Sequence, residues 1–227
     1  CIAEYVPGQI IASCTDSAGN WQLKQAHQWQ QRETEPVAGR SVLVVGAGSI
    51  GRRIARLCGA VGMSPDGVGR RARPGDEDFG AIYAQADLLS LLPDYDFVVI
   101  AAPLTADTEG LFGEAEFRAM HPGARLVNIG RGPIVKTDAL VNALRDGAID
   151  GAALDVFEQE PLPAAHPLWD LPNVHISSHM AGDFIGWKTA LSQQFIDNFR
   201  RWHAGEPLNN TVDKAHGLFF RLSERLQ

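Results

Sequence analysis

Arg131, Glu160 and His179 lie in three short segments, VNIGRGP at 127–133, LDVFEQEPLP at 154–163 and VHISSHMAG at 174–182, each read as following a strand. Together these residue types can reduce a 2-keto acid. The planar guanidinium of Arg131 matches a carboxylate and polarises the carbonyl beside it. Imidazoles titrate near neutrality, which suits His179 to give a proton to the carbonyl oxygen as hydride reaches the carbon. Glu160 is placed to orient the imidazole and to favour its protonated form. Singly, each has a plainer reading: a surface arginine, a solvated glutamate before proline, a satisfied interior histidine. Their occurrence in one ordered set favours the chemistry. His27, His121, His166, His175, His203 and His216 have no such context and are read as structural.

A hydride donor has a candidate site upstream. Residues 46–51 spell GAGSIG, a G-x-G-x-x-G turn between a predicted strand and a predicted helix. Gly46 permits the tight turn, Gly48 lets the backbone approach a pyrophosphate, and Gly51 lets helix and strand pack closely. Ser49 and Ile50 sit where the amides of the helix N-terminus point at phosphate. The turn also serves adenosyl cofactors, so a methyltransferase is a third alternative, but the Arg, Glu and His set has no use there. An NAD-selective site places a carboxylate at the end of the second strand. Here that stretch reads Gly67-Val68-Gly69-Arg70-Arg71, and guanidinium groups bind a 2′-phosphate. Arg70 and Arg71 therefore favour NADP, while Asp66 nearby keeps NAD open.

These residues need a scaffold, and its pattern is strand alternating with helix. Strands are expected at Ser41–Val45, Met63–Val68, Asp96–Ala101, Arg125–Ile129 and Gly151–Val156. Helices are expected at Arg52–Ala60, Ala81–Leu92, Glu114–Met120 and Thr137–Arg145, the last stopped by Gly147. Such alternation predicts an α/β fold: a Rossmann-type doubly wound parallel sheet with flanking helices from an incomplete second, substrate domain. Outside the sheet, 2–18 reads as a helix with a disturbed first turn, 19–39 as a connector packed by Trp21 and Trp29, and 184–202 as a long amphipathic helix. The expected organisation is 1–39 on the substrate-domain side, 40–182 as the dinucleotide-binding domain, and 183–227 returning to the substrate-domain side.

Composition narrows the partners. With 20 basic against 27 acidic residues and a net charge of −7, the surface is not built for nucleic acid or anionic lipid. Three cysteines, Cys1, Cys14 and Cys58, have no metal-ligand spacing and cannot all pair, so no metal site is expected and a reducing cytoplasm is the simplest setting. No apolar run is long enough to span a bilayer. The chain begins at Cys1 rather than methionine, which reads as a fragment or a processed product.

The segments IAEYV, GAGSIG, AAPLTADTEGLF, VNIGRGPIV, ALDVFEQEPLP, HISSHMAG and NNTVDKAHG run over nearly the whole chain. In them the sequence resembles the D-isomer-specific 2-hydroxyacid dehydrogenase family, and within it the glyoxylate/hydroxypyruvate reductase branch. The resemblance implies that Arg131 binds substrate and that Glu160 and His179 are the paired acid and base. It implies that Ser49, Ile50, Pro103, Ile129 and Asp155 contact an NAD(P) cofactor, with Asp155 near the nicotinamide carboxamide, and that the protein forms a homodimer through its cofactor domains. The expected activity is hydride transfer between NAD(P) and a small 2-keto or 2-hydroxy acid such as glyoxylate, hydroxypyruvate or pyruvate. Two departures are visible: the substrate-domain segment that precedes IAEYV in the family is absent, and Met63–Gly67 makes a poor second strand because proline and glycine interrupt a ladder. The rival reading is a non-catalytic NAD(P)-binding dimerisation or corepressor-like module.

Overall fold

The computed structural model describes residues 1–213 and 218–219. By its internal contacts the chain divides into two units, Cys1–Ala181 and Gly182–Gln227. In the first, α1 (Ile2–Cys14) and α2 (Ser17–Gln25) precede β1 (Ser41–Val45), α3 (Ser49–Ala60), β2 (Ser64–Gly69), β3 (Arg73–Pro74) and β4 (Ala81–Ala84). Then come α4 (Leu88–Leu91), β5 (Phe97–Ile100), α5 (Glu114–Ala119), β6 (Arg125–Asn128), α6 (Thr137–Arg145), β7 (Gly151–Leu154) and β8 (Val174–Ile176). These strands form one eight-stranded sheet in the order β3-β4-β2-β1-β5-β6-β7-β8, parallel throughout except for the β3–β4 pair. The chain leaves β1 toward β2 and later returns to β5 on its other side. That reversal opens a crevice at the carboxyl ends of β1 and β5.

Burial alternates along β1 as the pleat requires. Leu43 and Val45 join Val98, Ile100, Leu126, Phe117 and Leu140 on the face covered by α4, α5 and α6. Val42 and Val44 join Val99, Val127, Ile54 and Cys58 on the face covered by α1 and α3. Each such side chain contributes about 1.5–3 kcal/mol by leaving water, and a one-residue slip would exchange the faces. The doubly wound parallel sheet anticipated above is therefore the observed one.

Several local expectations are corrected. All of Met63–Gly67 but Met63 lies in a genuine strand, β2, which pairs with β1 from Ser64 to Val68. Ser64 N donates to Arg40 O, so alternate residues from Ser64 onward face β1. Pro65 falls on the opposite set, toward β4, whose pairing begins only at Gly67, so its missing N–H interrupts no ladder bond. Residues 81–84 are strand rather than helix, and only Leu88–Leu91 of the expected 81–92 helix is α-helical. The N-terminal helix ends at Cys14 and accommodates Pro7, whose ring is buried in the core, without a disturbed first turn. A second helix, α2, occupies part of the expected connector, and its indoles do not pack: Trp21 is 59% exposed and Trp29 fully exposed.

In the second unit, α7 (Trp187–His203) is followed by a tight return, Asn198 exchanging two hydrogen bonds with the Asn209 backbone. A short antiparallel pair, β9 (Val212–Asp213) and β10 (Leu218–Phe219), ends the described chain. Leu191, Phe195, Phe199 and Trp202 of α7 are all exposed. Among the described residues no helix is long and apolar enough to cross a membrane, and no cluster of potential metal ligands is present.

The cysteines are all free. Cys14 and Cys58 are buried, and burial pushes the Cys58 thiol up to about 12. In the native protein a thiol reagent is expected to label Cys1 readily and Cys58 only on unfolding. Rapid native labelling of Cys58 would contradict the packing of α3 on the sheet.

Candidate active site

β1 ends at Val45, and Gly46 makes the turn at φ +114°, where a Cβ would lie 2.7 Å from the Ala101–Ala102 backbone. A Cβ on Gly51 would fall 2.0 Å from the Gly46 carbonyl oxygen, so α3 sits directly on the turn. Gly48 is different. A Cβ there would meet nothing within 4 Å, and the backbone faces open space. Gly48 is also the N-cap of α3 and offers no side-chain cap, so the first amides of the helix are unclaimed beside the exposed Ser49 and Ile50. Close packing at two glycines with free amides at the third is what a dinucleotide pyrophosphate needs.

Past β2, Arg70 and Arg71 are exposed, and among the described residues neither forms an ion pair. Arg73, on β3, reaches back so that Nη2 donates to the Ala47 carbonyl at 3.4 Å. It was not singled out from sequence, although it stands in the same basic run. Asp66 does not support the NAD alternative drawn from it: Oδ1 accepts from Ala81 N at 2.6 Å and Oδ2 from Tyr95 Oη at 2.7 Å. Its carboxylate is occupied inside the sheet, three residues short of the strand end.

The loop after β3 is fastened to α3 by Arg52 on Asp76 (2.6 Å) and Arg56 on the buried Asp78 (2.9 Å). The bond from Arg52 holds the Asp76 carboxyl down at about 2. A carboxyl lowered in the fold stabilises above its unfolded value, and that stabilisation disappears as pH falls through its folded value. Asp76→Asn is therefore expected to destabilise the protein at neutral pH, with the difference in denaturation midpoint shrinking between about pH 4 and 2. A difference independent of pH would show that the ionised pair is not its source.

All the remaining candidates stand at carboxyl ends of strands. Pro103 is exposed after β5, its carbonyl capped by Thr108 Oγ1 at 2.7 Å. Ile129 is buried after β6. Arg131 stands two residues on, exposed; its Nη1 donates to the Gly130 carbonyl at 2.6 Å, and among the described residues its guanidinium has no other hydrogen bond and no acidic partner. Buried Asn128 accepts from Gly130 N at 3.1 Å and shapes that turn. At Gly132 a Cβ would lie 1.8 Å from the Phe157 carbonyl oxygen, so the Arg131 turn and the loop after β7 meet backbone to backbone.

His179 and Glu160 are brought together: Nδ1 and Oε2 are 2.7 Å apart. The second oxygen, Oε1, accepts from Phe157 N at 2.9 Å. Burial acts to raise the Glu160 carboxyl, but the His179 ring and the Phe157 amide outweigh it and hold it below the usual range. With Nδ1 facing glutamate, Nε2 is the nitrogen left for a reacting group. His179 itself has φ +54°, a conformation costing an L-residue of order 1–2 kcal/mol and retained only where neighbours dictate it. Buried Asp155 is that neighbour: its carbonyl accepts from His179 N, and its carboxylate from Met180 N and Ala181 N at 2.9 Å each. A pocket of about 400 Å³ adjoins the pair, walled by Phe157, Leu162, Trp169 and Ile176. A larger cavity of about 540 Å³ lies at the opposite, amino-terminal ends of β6 to β8, around Arg125, Gly151 and Asn173, away from every candidate residue.

Residues 8–181 match the family model of the D-isomer specific 2-hydroxyacid dehydrogenase NAD binding domain. Among curated proteins, a glyoxylate reductase of Aeropyrum pernix is 36% identical over 86% of this chain, which spans 58% of that enzyme. Among solved structures, a D-isomer specific 2-hydroxyacid dehydrogenase from Xanthobacter autotrophicus, in complex with NADPH, superposes with a TM-score of 0.84 at 32% identity, covering 96% of this chain and 88% of that one. A NADPH-dependent glyoxylate/hydroxypyruvate reductase from Sinorhizobium meliloti, in complex with NADP and sulfate, gives 0.87 at 30% identity, over 96% of this chain and 69% of that one.

Proposed function

The chain belongs to the D-isomer specific 2-hydroxyacid dehydrogenase family, and from that premise we propose that it reduces a small 2-keto acid, such as glyoxylate, hydroxypyruvate or pyruvate, with NADPH favoured over NADH. The observation that carries the reading is the 2.7 Å pairing of His179 with Glu160, on a loop whose backbone meets the Arg131 turn at Gly132. When bound, the nicotinamide supplies the hydride. Arg131 holds the substrate carboxylate and draws electron density from the keto oxygen. His179 Nε2 donates the proton to that oxygen, and the ionised Glu160 fixes the tautomer and offsets the charge of the imidazolium. Asp155 keeps the turn bearing His179 in place. A module that only bound cofactor would have no use for the His179–Glu160 pair.

The unclaimed amides at Gly48–Gly51 receive the pyrophosphate, Pro103 and Ile129 flank the cofactor, and Arg70 and Arg71, helped by Arg73, receive the 2′-phosphate. The Sinorhizobium meliloti relative was solved with NADP, in line with this preference. We further propose a cytoplasmic homodimer in which residues 40–182 form the cofactor domain, residues 1–39 enter from the substrate-domain side with α1 packed on the cofactor-domain sheet, and residues 183–227 belong to the substrate-domain side.

The reading is tested by following NADPH and NADH absorbance with the three keto acids, for this chain and for a form extended at its N-terminus. Oxidation by either form supports it, and oxidation by neither defeats it for these substrates. Arg70→Ala is expected to raise the KM for NADPH about tenfold, as loss of one charge-assisted phosphate contact should, and to leave NADH nearly unchanged. Equal weakening of both cofactors would count against a phosphate contact.

A further inference from the structure

One hydrogen-bonded chain reaches the catalytic turn from a helix far away in sequence. Tyr5 Oη, on α1, lies 2.7 Å from Ser177 Oγ, and Ser177 Oγ lies 2.5 Å from Asp155 Oδ1. The direction of both bonds follows from chemistry. A carboxylate only accepts, and Ser177 has one hydroxyl proton, so Ser177 donates to Asp155 and must accept from Tyr5. The phenol is thus the head of a relay ending on the carboxylate that holds Met180 N and Ala181 N. Burial raises the Tyr5 hydroxyl above its ordinary value, which keeps its proton available for donation.

We propose that Tyr5 is a positioning residue for His179, acting through Ser177 and Asp155 to hold the 178–181 turn in the left-handed shape that aims the imidazole. The turn needs such support. His179 takes a backbone conformation that a non-glycine residue leaves unless it is held, and Asp155 supplies acceptors to three successive amides, His179, Met180 and Ala181. Without the Tyr5 bond, Ser177 Oγ is free to rotate away from Asp155, and Oδ1 is left with the Met180 amide alone. Because bonds in a chain polarise one another, loss at the head weakens the far end. The role of Tyr5 in turnover rests on the proposed function, but its role in shaping the turn does not.

The experiment compares Tyr5→Phe, which keeps the ring packing of α1, with Ser177→Ala and Ser177→Thr in the full chain. Amide hydrogen exchange is read at Met180 and Ala181 against Val44 and Val99 in the centre of the sheet. Loss of the relay is expected to speed exchange at Met180 and Ala181 about tenfold in Tyr5→Phe and in Ser177→Ala, with the central amides unchanged and Ser177→Thr near wild type. Adding Tyr5→Phe to Ser177→Ala should do nothing more, since the relay is already cut. Unchanged exchange at Met180 and Ala181, or equal acceleration at Val44 and Val99, would overturn the proposal. In turnover, Tyr5→Phe should lower kcat about tenfold with little change in the KM for NADPH. Normal turnover in Tyr5→Phe where His179→Ala is inactive would likewise overturn it. Absence of reductase activity in the wild type would instead strike the proposed function, leaving the exchange measurement to decide the relay.

Discussion

Replacing His179 with alanine is expected to lower kcat for keto-acid reduction at least about a hundredfold, the usual effect of losing a positioned general acid. The effect should fall on kcat rather than on cofactor binding, because His179 stands after β8 whereas the pyrophosphate turn follows β1. Glu160→Gln tests the other half of the pair. The carboxyl is held below its ordinary range by the His179 ring, so it is ionised wherever the enzyme would be assayed. Neutralising it while keeping its size should lower kcat less than His179→Ala does, because the imidazole stays but loses the charge that offsets the imidazolium. Unaltered turnover in His179→Ala would remove that residue from the chemistry. Unaltered turnover in Glu160→Gln would reduce Glu160 to a packing role.

The second large effect is expected at a residue with no side chain. Gly132 passes so close to the next loop that a Cβ would lie 1.8 Å from the Phe157 carbonyl oxygen and 2.4 Å from Glu158 N. Both obstacles are backbone, so neither can rotate aside. Gly132→Ala must part the two loops or tilt them, and forced overpacking of this kind costs about 3 kcal/mol, near the upper end of its usual range. For a domain of this size that is a fall in Tm of roughly 6–12 °C. The same separation moves Arg131 away from the loop that carries Glu160. Misplacement of about 1 Å in a reacting constellation costs about a hundredfold in rate, so activity should fall far more than stability alone accounts for. An alanine variant with wild-type Tm and kcat would mean that the loops do not meet as described.

What could be read from the sequence divides along physical lines. β1, β5, β6 and α6 were legible because each is an apolar run of the right length and period, closed by a turn signal. The glycine turn and the His179 and Glu160 segments stood out because their residue types suit chemistry better than packing, and the fold brings His179 and Glu160 within 2.7 Å. Ala81–Ala84 misled because a short apolar run suits either helix or strand, and Asp66, fifteen positions earlier, decides it by bonding Ala81 N. Helix α2 escaped because it buries nothing. Its start is set by Asp16, whose carboxylate caps Gly19 N, a signal that a capping search would have found. Tyr5 and Ser177 were invisible because a bond across 172 residues leaves no spacing to detect. Trp21 and Trp29 were assigned a packing role from residue type alone, and type does not say what surface is within reach.

Asp66 has a further consequence, for the ease with which cofactor preference can be inherited or reversed. Because its carboxylate is committed to Ala81 and Tyr95, drift at the neighbouring arginines cannot recruit it to a ribose. A new acid would have to arise at the strand end. Gly69 stands there, and an added Cβ would meet only Ile82 Cγ2 at 3.6 Å and Arg71 O at 3.7 Å, ordinary contacts. A carboxylate introduced at position 69 is thus sterically permitted, and a shift of the proposed preference toward an unphosphorylated ribose would require no rebuilding of the sheet.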